Sequence, residues 1–164
     1  MVIVVMGPAG AGKSTVAGSL AAHLGWRWID GDDYHTAENV AKMRRGQPLT
    51  DADRTGWLQT LRVMVERAID RREPLILACS ALKASYRERL AGGLRPVRFV
   101  YLKVPTDVLR ARLLARHDHF AHASLLDSQL ATLEEPRRSE PAITVDGAAD
   151  VDTIVGHIRL ELGV

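Results

Sequence analysis

The sequence has a single cysteine and no long hydrophobic run, and each shortage excludes a class of protein. A lone thiol, Cys79, cannot form an internal disulfide, which favours a reducing compartment. No apolar stretch approaches the ~18 residues that a membrane-spanning helix needs. Residues 1–6 lack the basic flank of a signal peptide and are expected to form a strand instead. We therefore expect a cytoplasmic protein that does not associate with membranes.

The sequence also has little excess charge, because 22 basic residues are almost balanced by 20 acidic ones. A net charge of +2 does not suit a chain that binds polyanions, so no nucleic-acid partner is expected. Lysine is scarce, with four of the 22 basic residues, at positions 13, 42, 83 and 103. Because lysine is so rare here, the position of each one is informative. The length of 164 residues with 46% hydrophobic residues suits one domain with its own core.

Short apolar segments bounded by turn residues, with helical patterns between them, predict the strands. They are residues 2–6, 26–29, 75–79, 97–102 and 143–145. Continuous apolar strands that alternate with helices are typical of a parallel sheet covered on both faces. The fold class predicted is therefore α/β, with three layers and five parallel strands.

Two capping-box patterns predict where helices begin. Thr50 and Asp53 precede an apolar helical stripe, and Ser124 and Asp127 are expected to open a helix that continues to Leu133. The roughly forty residues between the second and third strands are too many for one crossover connection. They predict a small helical insertion, at about residues 33–72, over the edge of the sheet where substrates bind.

The first strand is followed by the stretch GPAGAGKS at residues 7–14, which matches the phosphate-binding pattern G-x-x-x-x-G-K-[ST]. Backbone N–H groups of such a loop point at phosphate oxygens, and the following helix adds its positive end. Lys13 can reach the β- and γ-phosphates and Ser14 can bind Mg²⁺. The expected nucleotide contacts are Gly7, Ala9, Gly10, Ala11, Gly12, Lys13, Ser14 and Thr15. A GTPase is disfavoured because the chain has no Asn-Lys-x-Asp motif, so a small kinase fits better.

Acidic residues follow the second strand, close to where the loop would deliver the γ-phosphate. Asp30 and Asp32 are expected to point to one side of the strand, where one serves Mg²⁺ with Ser14 and the other accepts a hydroxyl proton. Which of the two has which role stays open. Arg54 and Lys83 lie at element ends and suit a substrate carboxylate, or alternatively form surface ion pairs such as Arg54 with Asp51.

A helix that begins near Thr106 leads into a segment with the properties of a lid. Arg112 and Arg116 are four residues apart, so one could stack on adenine and the other could neutralise the transferred phosphate. Closing residues 116–136 would exclude water from the reaction. The histidines of this segment could suggest a metal site, but a polar lid loop is favoured because no carboxylate or cysteine set accompanies them. They are His117, His119 and His122.

Several short motifs are spread over nearly the whole chain. They are GPAGAGKS at 7–14, GDDYH at 31–35, GQPLTDADR at 46–54, WL at 57–58, CSALK at 79–83, YR at 86–87, HF at 119–120, SQ at 128–129 and LEEP at 133–136. Together these motifs resemble those of the gluconate kinase family of small P-loop kinases, which is related to shikimate and adenylate kinases. The chain departs from the family pattern at Thr36, where proline is frequent, and at Leu130, where phenylalanine is frequent.

This resemblance implies a P-loop kinase fold with a helical substrate insertion and a lid, and transfer of phosphate from ATP, with Mg²⁺, to the 6-hydroxyl of D-gluconate. It also implies a homodimer. Asp32 would be the base, and Lys13 and Arg116 would act with it in catalysis. Arg112 would contact adenine. The substrate contacts implied are Asp32, His35, Arg54, Lys83, His119 and Gln129, the last two in the lid and its flank.

Two other functions remain as alternatives. A shikimate-type kinase should have a glycine-rich loop after the third strand, whereas this chain has Ser-Ala-Leu-Lys at 80–83. A non-catalytic nucleotide-binding module should lack an acceptor carboxylate such as Asp32.

Overall fold

A parallel sheet forms the centre of the molecule. The computed structural model describes residues 1–115 and 119–164, and of residues 119–124 it describes the helical backbone only. Within these residues five strands pair in the order β2-β3-β1-β4-β5, all parallel. They are β1 (Val2–Met6), β2 (Arg27–Asp30), β3 (Leu75–Ala78), β4 (Val97–Lys103) and β5 (Ala142–Asp146). The predicted α/β class and the five predicted strands are confirmed, with no strand end shifted by more than one residue.

Helices cover both faces of the sheet and complete three layers. In the described part of the chain they are α1 (Lys13–Leu24), α2 (Ala37–Arg44), α3 (Asp51–Asp70), α4 (Ala84–Ala91), α5 (Thr106–Leu114), α6 (His119–Thr132) and α7 (Val151–Leu162). None of these described helices is both long and apolar enough to cross a membrane.

Alternation along β1 divides the interior into two cores. Val2, Val4 and Met6 pack with α3 and α4 on one face, whereas Ile3 and Val5 pack with α1, α5 and α7 on the other. All five side chains are fully buried. A strand buried on both faces is apolar at every position rather than at alternate ones, so the continuous apolar run at residues 2–6 predicts a buried strand.

The segment between β2 and β3 contains a 3₁₀ turn (Gly31–Tyr34), α2 and α3. Thr36 begins α2, since its hydroxyl accepts a hydrogen bond from the Asn39 N–H at 3.2 Å. This residue therefore replaces the frequent proline with a side-chain cap. The 20-residue α3 presents Trp57, Leu61 and other buried residues to the sheet, so it also serves as a layer helix.

One predicted helix start is confirmed and the other is wrong. The Thr50 hydroxyl accepts from the Asp53 N–H, and the Asp53 carboxylate accepts from the Thr50 N–H, which is the capping box expected for α3. By contrast α6 already begins at His119, so Ser124 lies inside the helix instead of capping it. The residues at 119–123 include two alanines and neither glycine nor proline, so nothing there prevents the helix from starting earlier.

Candidate active site

The glycine-rich loop joins β1 to α1 in the strand–loop–helix arrangement that its motif requires. Gly10 and Gly12 have φ angles of 82° and 90°, a left-handed backbone that favours glycine. Gly12 is the N-cap residue of α1 and has no side chain to cap the helix, and the first turn of α1 has no acidic residue. The Lys13 ammonium donates to the Pro8 carbonyl at 3.1 Å, which keeps it folded over the loop. The loop thus offers backbone N–H groups, a helix N-terminus and a cation to phosphate oxygens.

Ser14 and Asp30 meet beside this loop. The Ser14 hydroxyl donates to one carboxylate oxygen of Asp30, and the other carboxylate oxygen accepts the Asp32 N–H at 3.0 Å. A hydroxyl and a carboxylate next to a phosphate site suit Mg²⁺, which is usually held by one or two protein oxygens together with phosphate and water. Ser14 and Asp30, two of the residues expected to bind the metal, therefore fit Mg²⁺.

Asp32 lies in the 3₁₀ turn, because β2 ends at Asp30. The expectation that Asp30 and Asp32 share one side of a strand is therefore wrong, since strand alternation stops before Asp32. The Asp30 carboxylate caps this turn by accepting the Asp32 N–H, and Gly31 packs closely on β3, since a Cβ there would lie 2.9 Å from the Ala78 carbonyl oxygen. The Trp57 indole N–H donates to the Gly31 carbonyl at 2.7 Å and ties the turn to α3.

His35 packs behind Asp32. Its ring stacks on Trp57 with centroids 4.3 Å apart and planes inclined by 14°, and only 4% of its side chain is exposed. Its Nε2 lies 3.8 Å from the Asp32 carboxylate. Burial lowers the pKa of His35, Asp32 raises it, and Arg54 lowers it further. The neutral form of the His35 ring is therefore favoured. His35 contacts both the Asp32 turn and Trp57 of α3.

Two cations flank the Tyr86 ring. The Lys83 ammonium and the Arg54 guanidinium each lie 5.5 Å from the centre of the Tyr86 ring. Arg54 donates to the Leu49 carbonyl at 2.6 Å and to the Tyr86 hydroxyl at 3.3 Å. The structure thus brings together Arg54 and Lys83, which are 29 positions apart in the sequence.

Asp51 is the anionic partner of Lys83 and Tyr86. Its carboxylate accepts two hydrogen bonds from Lys83, at 2.8 and 2.9 Å, and one from the Tyr86 hydroxyl, whereas the alternative was a pair with Arg54. The bond from Lys83, followed by the bond from Tyr86, lowers the pKa of Asp51, and the same contact raises the pKa of Lys83. The signal that could have found Asp51 and Tyr86 is their position within two of the quoted motifs.

Gln129 and Arg112 also contact the glycine-rich loop. The Gln129 side-chain oxygen accepts the Ala9 N–H at 2.7 Å. Arg112 donates to the Gly147 carbonyl at 3.0 Å and to the Gly10 carbonyl at 3.4 Å. Both side chains therefore contact the phosphate loop, and the predicted roles of Arg112 at adenine and of Gln129 at the substrate stay predictions.

Two predicted site residues, Arg116 and the side chain of His119, lie outside the part of the chain that the structure describes, as do His117 and the side chain of His122. The proposed roles of Arg116 and His119 stay predictions. Among the residues that the structure describes, no cluster of three or more His, Cys, Asp or Glu side chains could hold a metal ion.

Comparison with known proteins identifies the family. A family model described as an AAA domain matches residues 2–136. Gluconokinase from Gluconobacter oxydans is 48% identical over 156 residues, which cover 95% of this chain and 88% of that protein. The crystal structure of a gluconokinase from Sinorhizobium meliloti is 42% identical with a TM-score of 0.85, covering 98% of this chain and 90% of that chain. The crystal structure of an unliganded sugar kinase from Janibacter has a TM-score of 0.93 at 39% identity, and the match covers 99% of this chain and 94% of that chain. With the phosphate loop and cationic cluster described above, these matches show that the chain belongs to the gluconokinase family of P-loop kinases.

Proposed function

We propose that the protein transfers the γ-phosphate of ATP to the 6-hydroxyl of D-gluconate and forms 6-phospho-D-gluconate. The observation that carries this proposal is the cluster of Arg54, Lys83 and Tyr86 in a chain 48% identical to a gluconokinase. Two cations around one aromatic ring suit a small acid that has both a carboxylate and hydroxyl groups.

The donor half of the proposed reaction rests on the loop at residues 7–14. Its N–H groups and Lys13 would bind the β- and γ-phosphates, and Arg112 would lie against the adenine. Mg²⁺, held by Ser14 and Asp30, would neutralise charge on the phosphates. Arg116 is proposed to bind the transferred phosphate, and Thr15 to add a backbone contact at the start of α1.

The acceptor half rests on Asp32, which is exposed beside Asp30 and backed by His35. Its carboxylate would accept the proton of the attacking hydroxyl while that oxygen forms the new bond to the γ-phosphorus. The bond from the γ-phosphorus to the oxygen that bridges the β- and γ-phosphates would break, and ADP would leave. Lys83 and Arg54 would bind the gluconate carboxylate at the other end of the substrate. His119 is proposed as a lid contact and His35 as a contact or support near the acceptor hydroxyls.

A coupled assay of ADP release tests the proposal against its alternatives. Gluconate, other aldonates, shikimate and no acceptor are compared at equal concentration. ADP release that depends on gluconate is expected. Release that depends on shikimate instead would favour a shikimate-type kinase, and binding of ATP with no acceptor-dependent release would favour a non-catalytic module.

The role of Asp32 is tested by the Asp32→Ala variant in the same assay. Loss of transfer with ATP affinity largely retained is expected, because the nucleotide contacts lie on a different loop. Turnover of gluconate at a rate near that of the wild type would exclude Asp32 as the base.

Three further expectations stay predictions. We propose that residues 33–72 form the acceptor-binding insertion, that residues 116–136 cover the site during transfer, and that the protein is a cytoplasmic homodimer without a nucleic-acid partner. Light scattering coupled to size-exclusion chromatography measures the oligomeric state directly.

A further inference from the structure

The backbone on both sides of Lys83 is bound by one residue far along the chain. The Glu134 N–H donates to the Leu82 carbonyl at 2.8 Å. The Glu134 carboxylate accepts the Ala84 N–H at 2.8 Å, across a separation of 50 positions. Lys83 therefore lies between two peptide groups that are both hydrogen-bonded to Glu134.

The start of α4 explains why the carboxylate is needed there. Lys83 is the N-cap residue of α4, and its side chain makes no cap hydrogen bond because an ammonium group has no acceptor; it donates to Asp51 instead. The first N–H groups of a helix need an acceptor, and the positive helix end favours an anion. Glu134 supplies this acceptor from another part of the chain and so fixes the backbone from which the Lys83 side chain extends.

A buried ion pair holds Glu134 itself in place. Arg87, only 2% exposed, donates to the Glu134 carbonyl at 2.9 Å and to the carbonyls of Ala81 and Leu82 at 3.1 and 3.3 Å. Its other nitrogens bind the Glu140 carboxylate in a two-pronged contact. The backbone of Glu134 is thus anchored, and its side chain is the adjustable contact to α4.

We infer that Glu134 is a positioning residue for the acceptor, which acts through the backbone of Lys83 and sets where the ammonium meets the substrate carboxylate. This inference rests on the proposed gluconate kinase activity. Truncating Glu134 should weaken acceptor binding, while the phosphate loop, which Glu134 does not contact in the described structure, should bind ATP as before.

The test compares the steady-state kinetics of Glu134→Ala, Glu134→Gln and a matched control. Glu134→Ala is expected to raise KM for gluconate about 5- to 20-fold, with KM for ATP changed less than about 2-fold, because a displaced binding group affects its own substrate. Glu134→Gln keeps an acceptor for the Ala84 N–H and should restore most of the affinity. Glu134 is exposed, so neither change should prevent folding, and thermal unfolding verifies this.

Glu161→Ala is the control, since Glu161 is an exposed carboxylate on α7 that pairs with His157, outside the proposed lid and the Lys83 loop. It should leave both KM values unchanged. A double variant provides the second criterion: in a Lys83→Met background, Glu134→Ala should add little to KM for gluconate.

The outcomes separate this inference from the proposed function. A wild-type protein that releases no ADP with gluconate overturns the proposed function and the inference with it. An active wild type whose Glu134→Ala variant keeps the same KM for gluconate overturns the inference alone. Equal increases in both KM values, or full additivity with Lys83→Met, would show a general structural effect and also overturn it.

Discussion

Asp53, next to Arg54 in the first turn of α3, is held ionised by Lys42. The Lys42 ammonium donates to the Asp53 carboxylate at 2.7 Å, and the Thr50 backbone donates to its other oxygen. The bond from Lys42, followed by those with Thr50, lowers the pKa of Asp53 to about 2. The buried Asn39 donates to the Asp53 carbonyl at 2.8 Å, so α2 and the start of α3 form one connected unit behind Arg54.

This low pKa predicts acid sensitivity. The folded-state pKa of Asp53 lies below the value of ~3.9 expected in the unfolded chain, so its stabilisation is complete above about pH 4 and is lost as the pH falls through 2. The difference in Tm between the wild type and Asp53→Asn should therefore be largest near neutral pH and close towards pH 2. Lys42→Met should show the same narrowing. A difference that stays constant over this range would contradict the assignment.

Cys79 gives a second prediction for a single residue. It follows β3, is 1% exposed, and burial raises the pKa of its thiol to about 12. Because the thiolate is the reactive form, the native protein at pH 8 should react with a thiol reagent to less than about 0.1 equivalents in the time that denatured protein reacts fully. Rapid reaction of the native protein would show that the region around β3 opens readily.

At the scale of elements, the capping box of α3 connects fold and site, because the same turn contains Asp51 and Arg54. We predict that Thr50→Ala costs about 1 kcal/mol in the free energy of unfolding, through loss of the hydroxyl that accepts the Asp53 N–H. Urea denaturation of Thr50→Ala and Thr60→Ala measures this. Thr60 is an exposed interior position of α3, where alanine is a better helix former. An equal loss in both variants would refute the capping contribution.

The elements also show how far the sequence alone was informative. The strands were predictable because β1, β3 and β4 are apolar on both faces, and the phosphate loop because its spacing is specific. The start of α6 was predicted wrongly at Ser124. The Ser-x-x-Asp spacing is not specific to helix starts, and here it lies inside a helix that begins at His119. The Asp51–Lys83 pair and the contacts of Glu134 join residues 32 and 50 positions apart, and no periodic pattern encodes such tertiary hydrogen bonds.

At the scale of the whole molecule, the sheet separates two cores that should respond independently. Leu61 on α3 belongs to the core on one face and Leu20 on α1 to the core on the other, and both are fully buried. Each change to alanine should cost about 2–5 kcal/mol in the free energy of unfolding. The loss in the free energy of unfolding of the double variant should equal the sum of the two single losses within about 0.5 kcal/mol, because the two residues belong to different core clusters. Strong non-additivity in chemical denaturation would show that the sheet transmits repacking between its faces.

The position of β1 in the centre of the sheet has a consequence for synthesis on the ribosome. β1 is made first, yet its neighbours are β3, which begins at Leu75, and β4, which begins at Val97. At translation rates of ~5–20 residues per second, the roughly 70 residues between β1 and β3 take about 4–14 seconds to appear. During that interval a wholly apolar strand has no native partner, and such segments pair readily with other chains. Slow translation of residues 7–74 should therefore lower the soluble yield, and chaperones that bind nascent chains should raise it.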